Sequence, residues 1–154
     1  MKVVLDKLKE KKLKISFMES CTGGGCANAL TNISGASKVL EYSAVTYSNE
    51  YKIKMGVKKE IIDQFSVYSK EVAREMALKI SLFSNSDLGV GVTGQLKKID
   101  PKNIVDNDDL VYICIYDKRF DRYYDEQIRV CEDSRYLNKE IVINKVFEMI
   151  KNII

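Results

Sequence analysis

The chain has 154 residues, 45% of them apolar and 31% charged, with a formal net charge of +3. That length and balance suit one globular domain and give no electrostatic footprint for nucleic acid. Histidine is absent altogether, so imidazole is excluded as a base and any serine or cysteine nucleophile must be served by Lys, Tyr, Asp or Glu. Four cysteines (Cys21, Cys26, Cys114, Cys131) lack C-x-x-C spacing, and a zinc site would need all four thiolates from scattered places. No metal or cofactor is therefore expected. Asp6 interrupts the only apolar start, which argues against a secretory leader, and the longest apolar runs, such as residues 110–116, fall far short of a membrane span. The expectation is a reduced, cytoplasmic protein without membrane or nucleic-acid partners.

In chain order, Val3, Val4, Leu5 and Leu8 predict a short amphipathic helix, and the basic segment Lys7, Lys9, Lys11, Lys12 and Lys14, broken by Glu10, supplies most of the net charge and reads as a solvated face. Residues 15–18 read as a first strand and residues 22–32 as the helix leaving it. A turn-rich break follows at 32–37, then a β-rich strand at 42–47. Ser48-Asn49 marks the next helix start, with Asn49 able to cap. Two helices come after it: a short one at 59–65, and one opening at the N-cap Ser69 with Val72, Ala73, Met76, Ala77 and Ile80 at helical spacing. Residues 87–93 alternate apolar residues with glycine and read as a buried strand ending at Thr93-Gly94. The polar stretch 95–109 holds the only proline, Pro101, and is the one long loop. Residues 110–116 form a near-continuous apolar strand, paired as a hairpin with 122–130 across 117–121. A last helix from about Ser134 turns Ile143, Val146, Phe147, Ile150 and Ile154 inward. This order predicts an α/β fold, a three-layer α/β/α sandwich with a mixed sheet, formed by residues 1–154 as a single domain. Ligands of such sheets collect at loops leaving strand C-termini, where Ser20, Tyr47 and Thr93-Gly94 all fall.

The chemistry concentrates in Met18-Glu19-Ser20-Cys21-Thr22-Gly23-Gly24-Gly25, a hydroxyl and a thiol side by side on a glycine-rich turn. A serine there can simply cap the helix. As a nucleophile it would use the same geometry, with the backbone N–H groups of Cys21 through Gly25 able to hold an oxyanion. Lys52 lies five residues beyond Tyr47, about one turn into the next helix, and can point back toward Ser20. To act as a base near neutrality it must lose roughly 3 units from a free pKa of about 10.4, through burial or a positive helix terminus. Tyr47 is either a core aromatic or a proton relay between Ser20 and Lys52. Cys21 is an alternative nucleophile, although a small packed residue is the simpler reading.

These residues resemble a known family. Residues 17–24 are similar to the A-E-S-C-T-G-G signature of the CinA C-terminal domain family, whose standalone members are nicotinamide mononucleotide (NMN) deamidases of the PncC type. The resemblance continues through Ser34-Gly35-Ala36-Ser37, Tyr47-Ser48-Asn49-Glu50-x-Lys52, Gly56-Val57, Val67-x-Ser69-x-Glu71-Val72-Ala73 and Gly91-Val92-Thr93-Gly94, over nearly the whole chain. The N-terminal domain usual in that family is expected to be absent. What the resemblance implies is a homo-oligomeric α/β/α sandwich, acting in pyridine nucleotide salvage, that hydrolyses the NMN carboxamide without a cofactor. Its serine, tyrosine and lysine fall on Ser20, Tyr47 and Lys52, with Asn49 in the same motif to orient the site. Cys21, Thr22, Gly23, Gly24, Gly25, Thr93 and Gly94 are expected to contact the substrate from their places at the helix N-terminus and strand ends. Arg135 falls where the family often carries an arginine after a glycine-aspartate pair, replaced here by Asp133-Ser134. After Val-Thr-Gly the family commonly continues I-A-G-P-G-G, whereas this chain reads Gln95-Leu96-Lys97-Lys98-Ile99-Asp100-Pro101. The rebuilt loop leaves room for two alternatives, another amide substrate or a nucleotide-binding module without chemistry. Lys97 and Lys98 are available to a phosphate as point charges.

Overall fold

The computed structural model describes residues 1–96 and 109–154. Within them the elements run α1 (Lys2–Glu10), β1 (Ile15–Glu19), α2 (Gly25–Thr31), β2 (Leu40–Val45), α3 (Asn49–Lys54), α4 (Lys59–Phe65), α5 (Lys70–Ser84), β3 (Leu88–Gly94), β4 (Leu110–Asp117), β5 (Arg122–Arg129) and α6 (Arg135–Ile153). The strands make one sheet in the order β2-β1-β3-β4-β5. β1 pairs parallel with β2 and β3, while β3–β4 and β4–β5 are antiparallel, so the sheet is mixed.

Strand alternation sorts side chains onto two covered faces. Ile15 and Phe17 of β1, Val90 and Val92 of β3 and Ile113 of β4 share a core with Leu5 and Leu8 of α1, Leu30 of α2 and Phe147 of α6. On the opposite face Met18 meets Val72, Met76 and Ile80 of α5, and Cys114 and Tyr116 meet Ala73 and Ala77 of the same helix. Helices on both sides make the three-layer α/β/α sandwich that the element order implies. Among the described residues no helix is long and apolar enough to cross a membrane.

The glycines of β3 have a packing cause. A Cβ on Gly89 would lie 2.1 Å from the Ala77 carbonyl oxygen, and one on Gly91 would lie 2.2 Å from that of Ala73. The backbone of α5 rests directly on β3, closer than any side chain permits. α5 opens where the sequence indicates, with Ser69 Oγ accepting from the Val72 amide.

Several strand ends shift by one residue from the sequence reading, and three further differences bear on the site. α2 begins at Gly25 rather than residue 22, because Gly23 (φ 62°) and Gly24 (φ 91°) are left-handed and hold a turn open before it. β2 covers Leu40–Val45 rather than 42–47, which leaves Tyr47 in the connection beyond the strand. The cap of α3 is Ser48, whose Oγ accepts from the Tyr51 amide, and Asn49 is the first helical residue. Most of the expected 95–109 loop, including Lys97, Lys98 and Pro101, lies outside the described residues.

Replacing Gly91 with alanine forces α5 off the sheet and is expected to destabilise the fold by roughly 2–3 kcal/mol, read from the urea midpoint.

Candidate active site

The three parallel strands end side by side, and a pocket of about 250 Å³ opens at those ends. α2, leaving β1, packs on one face of the sheet, whereas the chain leaving β2 passes to the other face through α5. Such a parting of connections creates a crevice at the strand ends. Ser20 follows β1 immediately, fixed by its amide donating to the Val92 carbonyl of β3 at 3.0 Å. Lys52, in the short helix after β2, reaches back across the crevice. Its Nζ lies 3.0 Å from Ser20 Oγ and 2.7 Å from the Thr46 carbonyl oxygen.

Lys52 is 1% exposed, and among the described residues no carboxylate pairs with it. Burial lowers its pKa from 10.5 to about 8. The shift comes from lost hydration, not from the helix terminus that the sequence also offered as a cause. A neutral amine keeps two N–H donors and one lone pair. It can donate to Thr46 and accept from the Ser20 hydroxyl, reversing the direction of that bond when it gives up a proton. Ser20 itself is buried, so both partners sit in a medium where proton affinity is set by neighbours rather than water.

The glycine turn behaves differently from its sequence reading. Gly23 N donates to the Ser20 carbonyl at 3.0 Å and Gly25 N to the Thr22 carbonyl at 3.2 Å, so neither amide is open to a ligand. The first turn of α2 is occupied too. The buried carboxylate of Glu19 accepts from the amides of Cys26 and Ala27, both at 3.0 Å. An internal anion thus already satisfies the positive end of the helix. Among the described residues, the Cys21, Thr22 and Gly24 amides make no backbone hydrogen bond, and of these Cys21 belongs to a residue that lines the pocket.

Asn49 and Arg135 also line the pocket, Arg135 with Nη1 donating to the Leu96 carbonyl at 3.2 Å. Gly94 lines it from the end of β3, whereas Thr93, Thr22, Gly23, Gly24 and Gly25 do not. Thr93 instead donates its hydroxyl to the Val67 carbonyl at 2.9 Å, tying the α4–α5 connection to β3. Tyr47 stands at the pocket, 66% exposed. It does not bridge Ser20 and Lys52, which touch directly, and among the described residues its hydroxyl bonds to neither. The Cys21 thiol is pushed up to about 12 by burial, which removes it as a thiolate nucleophile at neutral pH. Glu19, Tyr68 and the Thr46 carbonyl were given no role from sequence. Glu19 stood within a recognised motif, and Tyr68 at an unspecified position of another.

A family model described as the CinA C-terminal domain matches residues 1–154. The chain belongs to the CinA C-terminal domain family. A CinA-like protein of Endomicrobium trichonymphae is 49% identical over 88 residues, 56% of this chain and 21% of the relative. The chain thus spans about a fifth of the length of the curated CinA relatives it matches. The competence/damage inducible protein CihA from Agrobacterium tumefaciens superposes with a TM-score of 0.88 at 28% identity, covering 96% of this chain and 89% of that one. A CinA superfamily protein from Escherichia coli shares the fold with a TM-score of 0.88 at 21% identity, covering 99% and 87%.

In this CinA fold the buried lysine has a measurable cost. Its proton is held less tightly in the folded state (about 8) than in the unfolded one (near 10.5), so the unfolded chain takes up the proton first as pH falls. Stability declines from pH 10.5 to 8, and below pH 8 the full penalty of roughly 3 kcal/mol applies. Lys52→Met is expected to be more stable than the parent at pH 7, with the advantage shrinking as pH rises toward 10, measured by denaturant unfolding across that range. Glu19→Ala uncaps α2 and is expected to lower stability by about 2 kcal/mol in the same assay.

Proposed function

We propose that this chain is a serine amidohydrolase that converts the carboxamide of NMN to nicotinic acid mononucleotide and ammonia, in pyridine nucleotide salvage. The observation that carries the reading is the contact between Ser20 Oγ and an amine that burial brings close to neutrality. Without histidine in the chain, this pair is what remains for generating an alkoxide.

Ser20 Oγ attacks the carboxamide carbon while its proton passes to Lys52 Nζ. The tetrahedral oxyanion is held by the Cys21 amide, the donor following the nucleophile. Lys52 then gives its proton to the departing nitrogen. Ammonia leaves, and an ester remains on Ser20. Water adds to that ester with Lys52 again taking the proton, and Ser20 recovers it as the acid departs. The Thr46 carbonyl holds the amine in line throughout. Asn49 orients the substrate and Arg135 meets its phosphate, which suits a planar donor fork better than a point charge. Tyr47 borders the reacting group at the mouth.

The test is ammonia release from NMN by purified protein. Because the neutral amine is the active form, kcat/KM is expected to rise with pH and level off above an apparent pKa near 8. Ser20→Ala and Lys52→Ala are each expected to lower kcat on the order of 10³-fold or more. Unchanged turnover in either variant would falsify the assignment.

A further inference from the structure

The pocket has one aromatic wall that the proposed chemistry does not use. Tyr68 lines it from the α4–α5 connection, and Tyr47 lines it from the β2–α3 connection. Among the described residues the two rings make no contact with each other, and neither joins another aromatic ring. Tyr68 is 42% exposed and its hydroxyl makes no hydrogen bond among the described residues, so core packing does not explain a tyrosine there.

Its backbone, by contrast, is held from several directions. The Val67 carbonyl accepts from Thr93 Oγ1 at 2.9 Å, beside the pocket residue Gly94. Ser69 Oγ donates to the Ser66 carbonyl at 2.8 Å, and accepts from Val72 N at the start of α5. Ser66 adopts φ +72°, a left-handed conformation that a residue with a side chain adopts at a cost. A hydrogen-bonded connection with one positive-φ residue thus presents an exposed aromatic ring to the pocket. Rigid tyrosines offer large amphipathic area while losing little conformational freedom on binding.

We infer that Tyr68 is a specificity-determining residue whose ring stacks on the flat heteroaromatic ring of the substrate, selecting aromatic carboxamides over aliphatic ones. For its substrate the inference rests on the amide-hydrolysis reading above. The division of labour is spatial. Ser20 and Lys52 hold the carboxamide at the strand ends, Arg135 stands on another side, and the face of the ring between them meets Tyr68.

The experiment compares Tyr68→Leu and Tyr68→Phe with the parent. Leucine removes the aromatic face and is expected to raise KM for NMN roughly five- to tenfold, with kcat within about twofold. Phenylalanine keeps the face and is expected to retain the parental KM. A parental KM in Tyr68→Leu, or a loss shared by both variants, overturns the inference, the latter by assigning the effect to the hydroxyl. A second arm measures calorimetric binding of nicotinic acid mononucleotide and of ribose 5-phosphate to Ser20→Ala protein with and without Tyr68→Leu. The ring-bearing ligand is expected to weaken by the same factor while ribose 5-phosphate does not change. Equal weakening of both ligands points to a misfolded wall and overturns the inference. This arm needs no turnover: if NMN is not hydrolysed but ring binding still depends on Tyr68, the deamidase reading fails and the aromatic subsite stands.

Discussion

An ammonium group removed from water, with no counter-ion among the described residues, is the constraint around which the rest of the site is arranged. Lys52 is enclosed at the strand ends with a hydroxyl and a backbone carbonyl for company, and both are neutral. An aspartate or glutamate in contact would have made the lysine more comfortable and chemically useless, because pairing raises the proton affinity that a base must lose. The fold accepts an unfavourable charge at neutral pH and obtains from it an amine ready to accept a proton. Such local cost at a reactive position is a recurring feature of active sites. The remaining architecture has to absorb it, and the apolar cores packed on the two faces of the sheet are where that reserve lies.

Glu19 plays the complementary part. It adjoins Ser20 in sequence, yet its carboxylate turns away to the first amides of α2. There it discharges the positive end of the helix and fixes the turn that presents Ser20. Negative charge is spent on structure one residue before the hydroxyl, and among the described residues no carboxylate reaches Lys52. The two choices are linked: the same carboxylate directed at Lys52 would have restored an ordinary, protonated surface-type lysine. Helix, turn and base are therefore settled by where one side chain points.

Much of this was readable in the residues. The missing histidine, the Ser20 motif and the placement of Lys52 within a turn of the next helix led to the pair before any coordinates, because each depends on local spacing. The layers followed from period-2 and period-3.6 patterns, and the glycine alternation of β3 marked a strand whose packing cause only the α5 contact revealed. Failures arose where partners are distant or the choice is between neighbours. The glycine turn read as an open anion cradle because nothing local indicates that Glu19 reaches amides seven and eight residues onward. Tyr68 escaped notice because its placement depends on Thr93 gripping Val67, 26 positions away in the chain. Ser48 and Asn49 are both good caps, and only the geometry of the first turn separates them.

The Ser20–Lys52 pair and the Thr46 carbonyl that steadies it come from a single contiguous stretch, from β1 to α3, whereas Tyr68, Gly94 and Arg135 arrive from later and separate parts of the chain. The buried pair and much of the pocket's far wall thus come from different pieces of sequence. A change confined to the later pieces can therefore reshape the walls of the crevice while the contact between Ser20 and Lys52 stays as it is.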